Sequence, residues 1–153
     1  CMLTCLQSLA PSARIPRLPM ETLAALADYM LVEADGSRQM PLKAHAAHEP
    51  VIPACAERVI CVAGASGFDR PIRACVHRPE RFCALTGAAE TDTVAPLLAA
   101  QAILTEGLCD TVFLNQVDNA ELLGRVMPFL QTAAAGGLFT AAGSLQGDWG
   151  KRF

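Results

Sequence analysis

The sequence predicts an α/β domain: a mostly parallel sheet flanked by helices. Three observations carry the prediction. Short β-branched or apolar runs, RVICVAG, DTVFL and LFTAA, recur along the chain from Arg58 onward and end at glycines or polar turns. Between them lie longer segments with apolar residues at helical spacing. The strand runs are apolar on both faces, as strands covered by helices on either side must be.

The elements follow in order. Residues 6–20 hold Pro11, Pro16 and Pro19 with Arg14 and Arg17, an irregular lead-in. Domain organisation is therefore read as a lead-in over 1–20 and a single α/β domain over 21–153. From Glu21 the spacing of Leu23, Leu26 and Ala27 predicts a helix, and Met30-Leu31-Val32 a short buried strand. Residues 36–57, with Pro41, Pro50 and Pro53, read as loop. Arg58–Gly64 is a strand, and 65–79 are turn-rich. Pro79 opens a helix that Gly87 closes. Thr91–Thr93 offer the N-cap of a second helix carrying Val94, Leu97, Leu98, Ile103 and Leu104. Asp110–Leu114 is a strand, and Asn119 caps a helix over 120–131 that Pro128 should kink or end. Leu138–Ala142 is the last strand.

Composition excludes several classes. The chain has 153 residues, 52% hydrophobic and 5% aromatic, with net charge −3, a pI near 5.5 and a mean hydropathy of +0.32. Such a chain folds, and its core is expected to be Ala, Leu and Val. The acidic balance and scattered basic residues argue against a nucleic-acid surface. No apolar run reaches the ~18 residues needed to span a bilayer. Seven cysteines without a C-x-x-C spacing suggest neither a zinc site nor a disulfide framework, so the expected compartment is a reducing cytoplasm.

Four motifs stand at strand ends or in loops, where α/β sheets bind ligands. LVEADGSR, residues 31–38, has two readings: Glu33 and Asp35 hold Mg²⁺ beside a phosphate, or Asp-Gly makes a turn. Asn115-Gln116-Val117-Asp118 follows DTVFL and resembles the N-K-x-D sequence with which GTPase-like proteins read guanine, with Gln116 in place of the lysine. Its plain alternative is an N-cap turn. In KAHAAHEPVIP, His45 and Glu49, with His48 between them, could meet a metal if the segment made a helix turn; otherwise the two histidines are surface or hydrogen-bonded loop residues. His77-Arg78-Pro79 precedes a helix and either meets an anion at that N-terminus or packs there. Gly64-Ala65-Ser66-Gly67 lacks the G-K-[ST] ending of a phosphate loop and reads as a turn.

In order, LVEADGSRQMPLKAHAAHEPVIP, RVICVAG, VHRPERFCALTG and VFLNQVD resemble the YqeC-like family, accessory proteins of selenium-dependent molybdenum hydroxylases, from about Leu23 to at least Asp118. The resemblance implies a P-loop NTPase-like fold and a role in maturing such a hydroxylase, with Mg²⁺ and GTP or ATP as cofactors. It implies as partner a molybdenum hydroxylase or a protein of the selenium or molybdenum cofactor pathway. Carried over by position, Glu33 and Asp35 become the metal side of a nucleotide site and Asn115 and Asp118 its base-reading side. Lys43, His77 and Arg78 become further nucleotide-binding residues. Family members carry a glycine-rich G-x-G-G-K-T-type loop before V-E-A-D-G, which these 153 residues lack. The expectation is a fold incomplete at its N-terminus, whose triphosphate affinity is weak by itself. The alternative is a non-catalytic, partner-binding α/β domain without triphosphate chemistry.

Overall fold

A computed structural model describes residues 19–147 and 150–152; the lead-in reading falls almost wholly outside them. The fold is α/β with two sheets, flanked by helices. In the larger sheet the order is β2 (Ile60–Gly64), β4 (Thr111–Asn115), β5 (Phe139–Gly143), β6 (Gly150–Arg152). The first three strands are parallel and β6 is antiparallel to β5. Cys61, Ala63, Val112, Leu114 and Ala142 are buried along one face of the sheet. The opposite face, with Val62 and Phe113, is only half-buried and Phe139 on it is exposed, so the burial on both faces expected of these strands is met on one. A second, two-stranded parallel sheet pairs β1 (Leu42–Lys43) with β3 (Val76–His77), Lys43 opposite His77.

The helices start and stop where local chemistry allows. The α3 helix (Pro79–Thr86) has Pro at its first position and Gly87 at φ 73° behind it, the asymmetry that a missing N–H and a left-handed cap favour. The α4 helix (Pro96–Glu106) ends likewise at Gly107, φ 62°. In α5 (Ala120–Ala135) the Asn119 side chain accepts from the Leu122 amide at 2.8 Å, which settles the N-cap. The α4 and α5 helices pack on each other, α3 on α4 and α5 on β5. Among the described residues, no helix is long and apolar enough to cross a membrane.

Several expectations are corrected. Met30–Val32 is not a strand: Leu31 is 57% exposed, with no neighbour strand to bury it. The helix from Glu21 shortens to α1 (Met20–Ala24), with no buried residue; among the described residues its apolar spacing is not covered. The α2 helix (Ile72–Cys75) and β1, β3 and β6 were not expected. Thr91–Thr93 do not cap α4: Asp92 accepts from Ala89 N at 2.8 Å, Thr93 bridges to Pro71, and the α4 cap position is Ala95. Within α4 the fully buried residues are Ala99, Ala100 and Ala102, whereas Leu97 is exposed. The α5 helix runs past Pro128 to Ala135. The core also uses aromatics more than composition suggested, with Phe82 and Phe129 fully buried and the rings of Phe68 and Phe129 5.7 Å apart.

Candidate functional site

Two places gather polar side chains, and the sequence motifs divide between them. The first lies at the carboxyl end of the small sheet. Lys43 ends β1 with a side chain only 1% exposed, and a buried ammonium demands carboxylate partners. It finds two: an ion pair with Asp35 and a hydrogen-bonded ion pair with Glu49. It also donates to the Gly36 carbonyl at 2.9 Å. The other oxygen of Glu49 pairs with Arg78. On the far side, Asp35 Oδ2 lies 3.3 Å from His45 Nε2. The other ring nitrogen of His45, Nδ1, hydrogen-bonds Glu106 Oε2 at 2.8 Å, while Glu106 Oε1 accepts the His45 backbone N–H at 2.6 Å.

The result is one chain of alternating groups: Glu106, His45, Asp35, Lys43, Glu49, Arg78. It ties the loop over 35–49 to the end of α4 and the start of α3. Lys43, and then Arg78, hydrogen-bond the Glu49 carboxylate and hold its pKa down to about 2, against the desolvation that opposes it. His77, the register partner of Lys43, is shifted downwards as well, which for a histidine favours the neutral form. Burial, and then the charges of Lys43, Arg78 and Arg38, lower its pKa; only Glu49 pulls it up.

The second place is the carboxyl edge of the larger sheet, a cleft of about 430 Å³ lined by Ala65, Ser66, Asn115, Gln116, Asp118, Leu122, Ser144 and Gln146. Its floor is built by close approach. Gly64, the last residue of β2, accepts no side chain, since a Cβ there would stand 2.6 Å from Gln116 Oε1 and 2.9 Å from Pro41 Cβ. That space lets Gln116 Oε1 reach Ser66, accepting from its hydroxyl at 2.6 Å and its amide at 3.3 Å. The Ala65–Gly67 segment is a 3-10 turn, in line with the turn reading of GASG. Asn115 Oδ1 accepts the Leu145 amide at 3.0 Å and so anchors the loop after β5. Asp118 is exposed, with no hydrogen bond or ion pair among the described residues.

The predicted residues thus separate. Asn115 and Asp118 line the strand-edge cleft; Lys43, Arg78 and Asp35 belong to the alternating chain, with His77 beside it. Glu33 joins neither: it is exposed and unpartnered among the described residues. Asp35 does not end a strand, and both its oxygens are engaged, Oδ1 by the Gly36 amide at 2.8 Å and Oδ2 by Lys43 and His45. A Mg²⁺ ion there has to displace the Lys43 ammonium. No group of three or more His, Cys, Asp or Glu among the described residues is placed to hold a metal. Glu106 escaped the sequence reading, though a signal existed. It is the one charged residue of PLLAAQAILTE, and it sits at the helix end where the dipole disfavours a carboxylate, so it needs a partner. Ser66, Ser144 and Gln146 carried no such signal.

Fold and clefts together define an α/β domain with a polar cleft at the carboxyl edge of its parallel strands, where sheets of this class commonly bind ligands. Residues 5–80 match the family described as YqeC protein, so over this segment the chain is YqeC-like. It is 46% identical over 61 residues to the protein named "Uncharacterized protein YqeC" of Escherichia coli (strain K12); that match takes in 39% of this chain and 24% of that protein. No solved structure matches the chain. The matched family segment contains the whole alternating chain except Glu106, and stops short of the strand-edge cleft's Asn115 and Asp118.

Proposed function

We propose that the protein is a nucleotide-binding accessory protein acting in the maturation of selenium-dependent molybdenum hydroxylases, with a P-loop NTPase-like fold and the strand-edge cleft as its base-reading surface. One observation carries the nucleotide reading. A partnerless carboxylate, Asp118, stands beside Asn115 at the carboxyl ends of parallel strands, in a cleft of nucleotide-fragment size. A carboxylate there can accept two N–H groups from the edge of guanine, a charge-assisted bidentate contact. The maturation role rests on the YqeC match and on the motif resemblance. Mg²⁺ enters this reading as the counter-ion of the phosphates.

The alternating chain favours the second reading, a partner-binding domain. Its lysine is almost fully enclosed and its carboxylates are each taken up by a neighbour in the chain, so it serves architecture as it stands. Calorimetry on the product of the whole reading frame, with Mg²⁺ and GTP or ATP, separates the two. The nucleotide reading expects saturable binding with GTP preferred, and a loss of that preference by about tenfold or more in Asp118→Ala, since a hydrogen bond to a charged group is lost. No heat with either nucleotide leaves the partner-binding reading. A preference for GTP that survives Asp118→Ala removes the base-reading assignment.

A further inference from the structure

A separate cleft of about 380 Å³ opens between α3, the loop after β1 and the end of α4. It is lined by His45, Ala46, Ala47 and Glu49 from the loop, by Arg81, Ala84 and Leu85 from α3, and by Glu106 and Leu108. It shares no residue with the strand-edge cleft.

Its hydrogen-bond inventory is lopsided. Both carboxylates are already satisfied: Glu106 takes the amide and the Nδ1 of His45, and Glu49 takes Lys43 and Arg78. What remains without a partner donates. Arg81 is exposed and its guanidinium makes no hydrogen bond or ion pair among the described residues. The Ala46 and Ala47 amides, in the same loop, donate to nothing described. The His45 ring is 5% exposed and already taken up, Nδ1 by Glu106 and Nε2 facing Asp35 Oδ2 at 3.3 Å, so it adds no free donor to the cleft. A cleft whose acceptors are spent and whose donors are free calls for a ligand rich in acceptors. Ala46, Ala84, Leu85 and Leu108 add apolar wall.

From this inventory we infer that the cleft beneath Arg81 binds a small organic oxyanion, a carboxylate head on a short apolar body, with the Arg81 guanidinium as its anchor. A planar guanidinium fits a carboxylate in two-pronged fashion, which a lysine does not reproduce. The site is independent of the nucleotide reading, so either can fail alone.

The test titrates the ¹⁵N-labelled chain, at constant ionic strength, with sodium acetate, sodium butyrate and inorganic phosphate. Saturable shifts at Ala46, Ala47 and Arg81 are expected with both carboxylates. Butyrate should bind roughly tenfold more tightly than acetate, because two further methylene groups are buried. Arg81→Ala, at an exposed position, should weaken butyrate at least tenfold; Arg81→Lys should restore only part of the affinity, and Asp118→Ala should bind butyrate as the parent does. The inference is overturned if no titrant saturates, if Arg81→Ala binds butyrate as the parent does, or if phosphate binds and the carboxylates do not.

Discussion

At Glu49 one carboxylate serves two cations, and the neighbouring histidine feels the result. Lys43 and Arg78 hold the Glu49 carboxyl near 2, below its ordinary 4.5. A carboxyl whose pKa is lowered on folding stabilises the fold fully above its unfolded value and loses that contribution as pH falls through the folded one. Stability should therefore decline between about pH 4.5 and 2, and Glu49→Gln should flatten that part of the profile in acid unfolding followed by circular dichroism. Burial and three cations lower His77 below 6.5, with Glu49 as the one opposing charge. Its neutral form is the one folding favours, so its contribution too fades as pH drops below 6.5. In Glu49→Gln the His77 ring, followed by proton NMR, should titrate at a still lower pH; a midpoint that stays or rises contradicts the arrangement of charges around it. The residue types of this cluster, Asp35, Lys43, Glu49, His77 and Arg78, were all singled out in the sequence. Their pairing was not, because it depends on a loop fold that no periodicity records.

Among the elements, the readable ones were those long enough to show a period. The strands around Ile60–Gly64 and Thr111–Asn115 and the Pro79 and Asn119 helix starts emerged from local rules. The two-residue strands β1 and β3 did not, because two residues have no alternation to detect. Met30–Val32 misled for the converse reason: an apolar run reads as a strand whether or not the fold supplies a neighbour. The Asn119 cap gives a direct check. Asn119→Ala removes the acceptor for the Leu122 amide and should cost about 1 kcal/mol in denaturant unfolding; no loss means that the α5 start is held by something else. Gly64 marks a second dependence. Gly64→Ala places a methyl against Gln116 and the Pro41 ring, and should destabilise the chain and shift the Ser66 amide resonance as the Gln116 contact opens.

On the scale of the whole molecule, the α/β class followed from the alternation of strands and helices, while the second sheet and the antiparallel β6 depended on tertiary pairing. The candidate site divided rather than converged: one string of motifs resolved into an enclosed ionic chain and a separate, solvent-facing cleft. That division makes the strand edge, not the VEADGSR loop, the place to look for a nucleotide. Without a G-x-G-G-K-T loop to supply amides and a lysine to phosphates, these 153 residues should bind weakly. The most direct measurement is therefore one that locates weak binding: a ¹⁵N–¹H titration of the chain with Mg²⁺-GTP, compared with Mg²⁺-ATP. Progressive shifts concentrated at Ser66, Gln116, Asp118 and Ser144, larger with GTP, are the predicted result. Shifts with neither nucleotide at those four residues, or shifts confined to the Arg81 cleft, would contradict it.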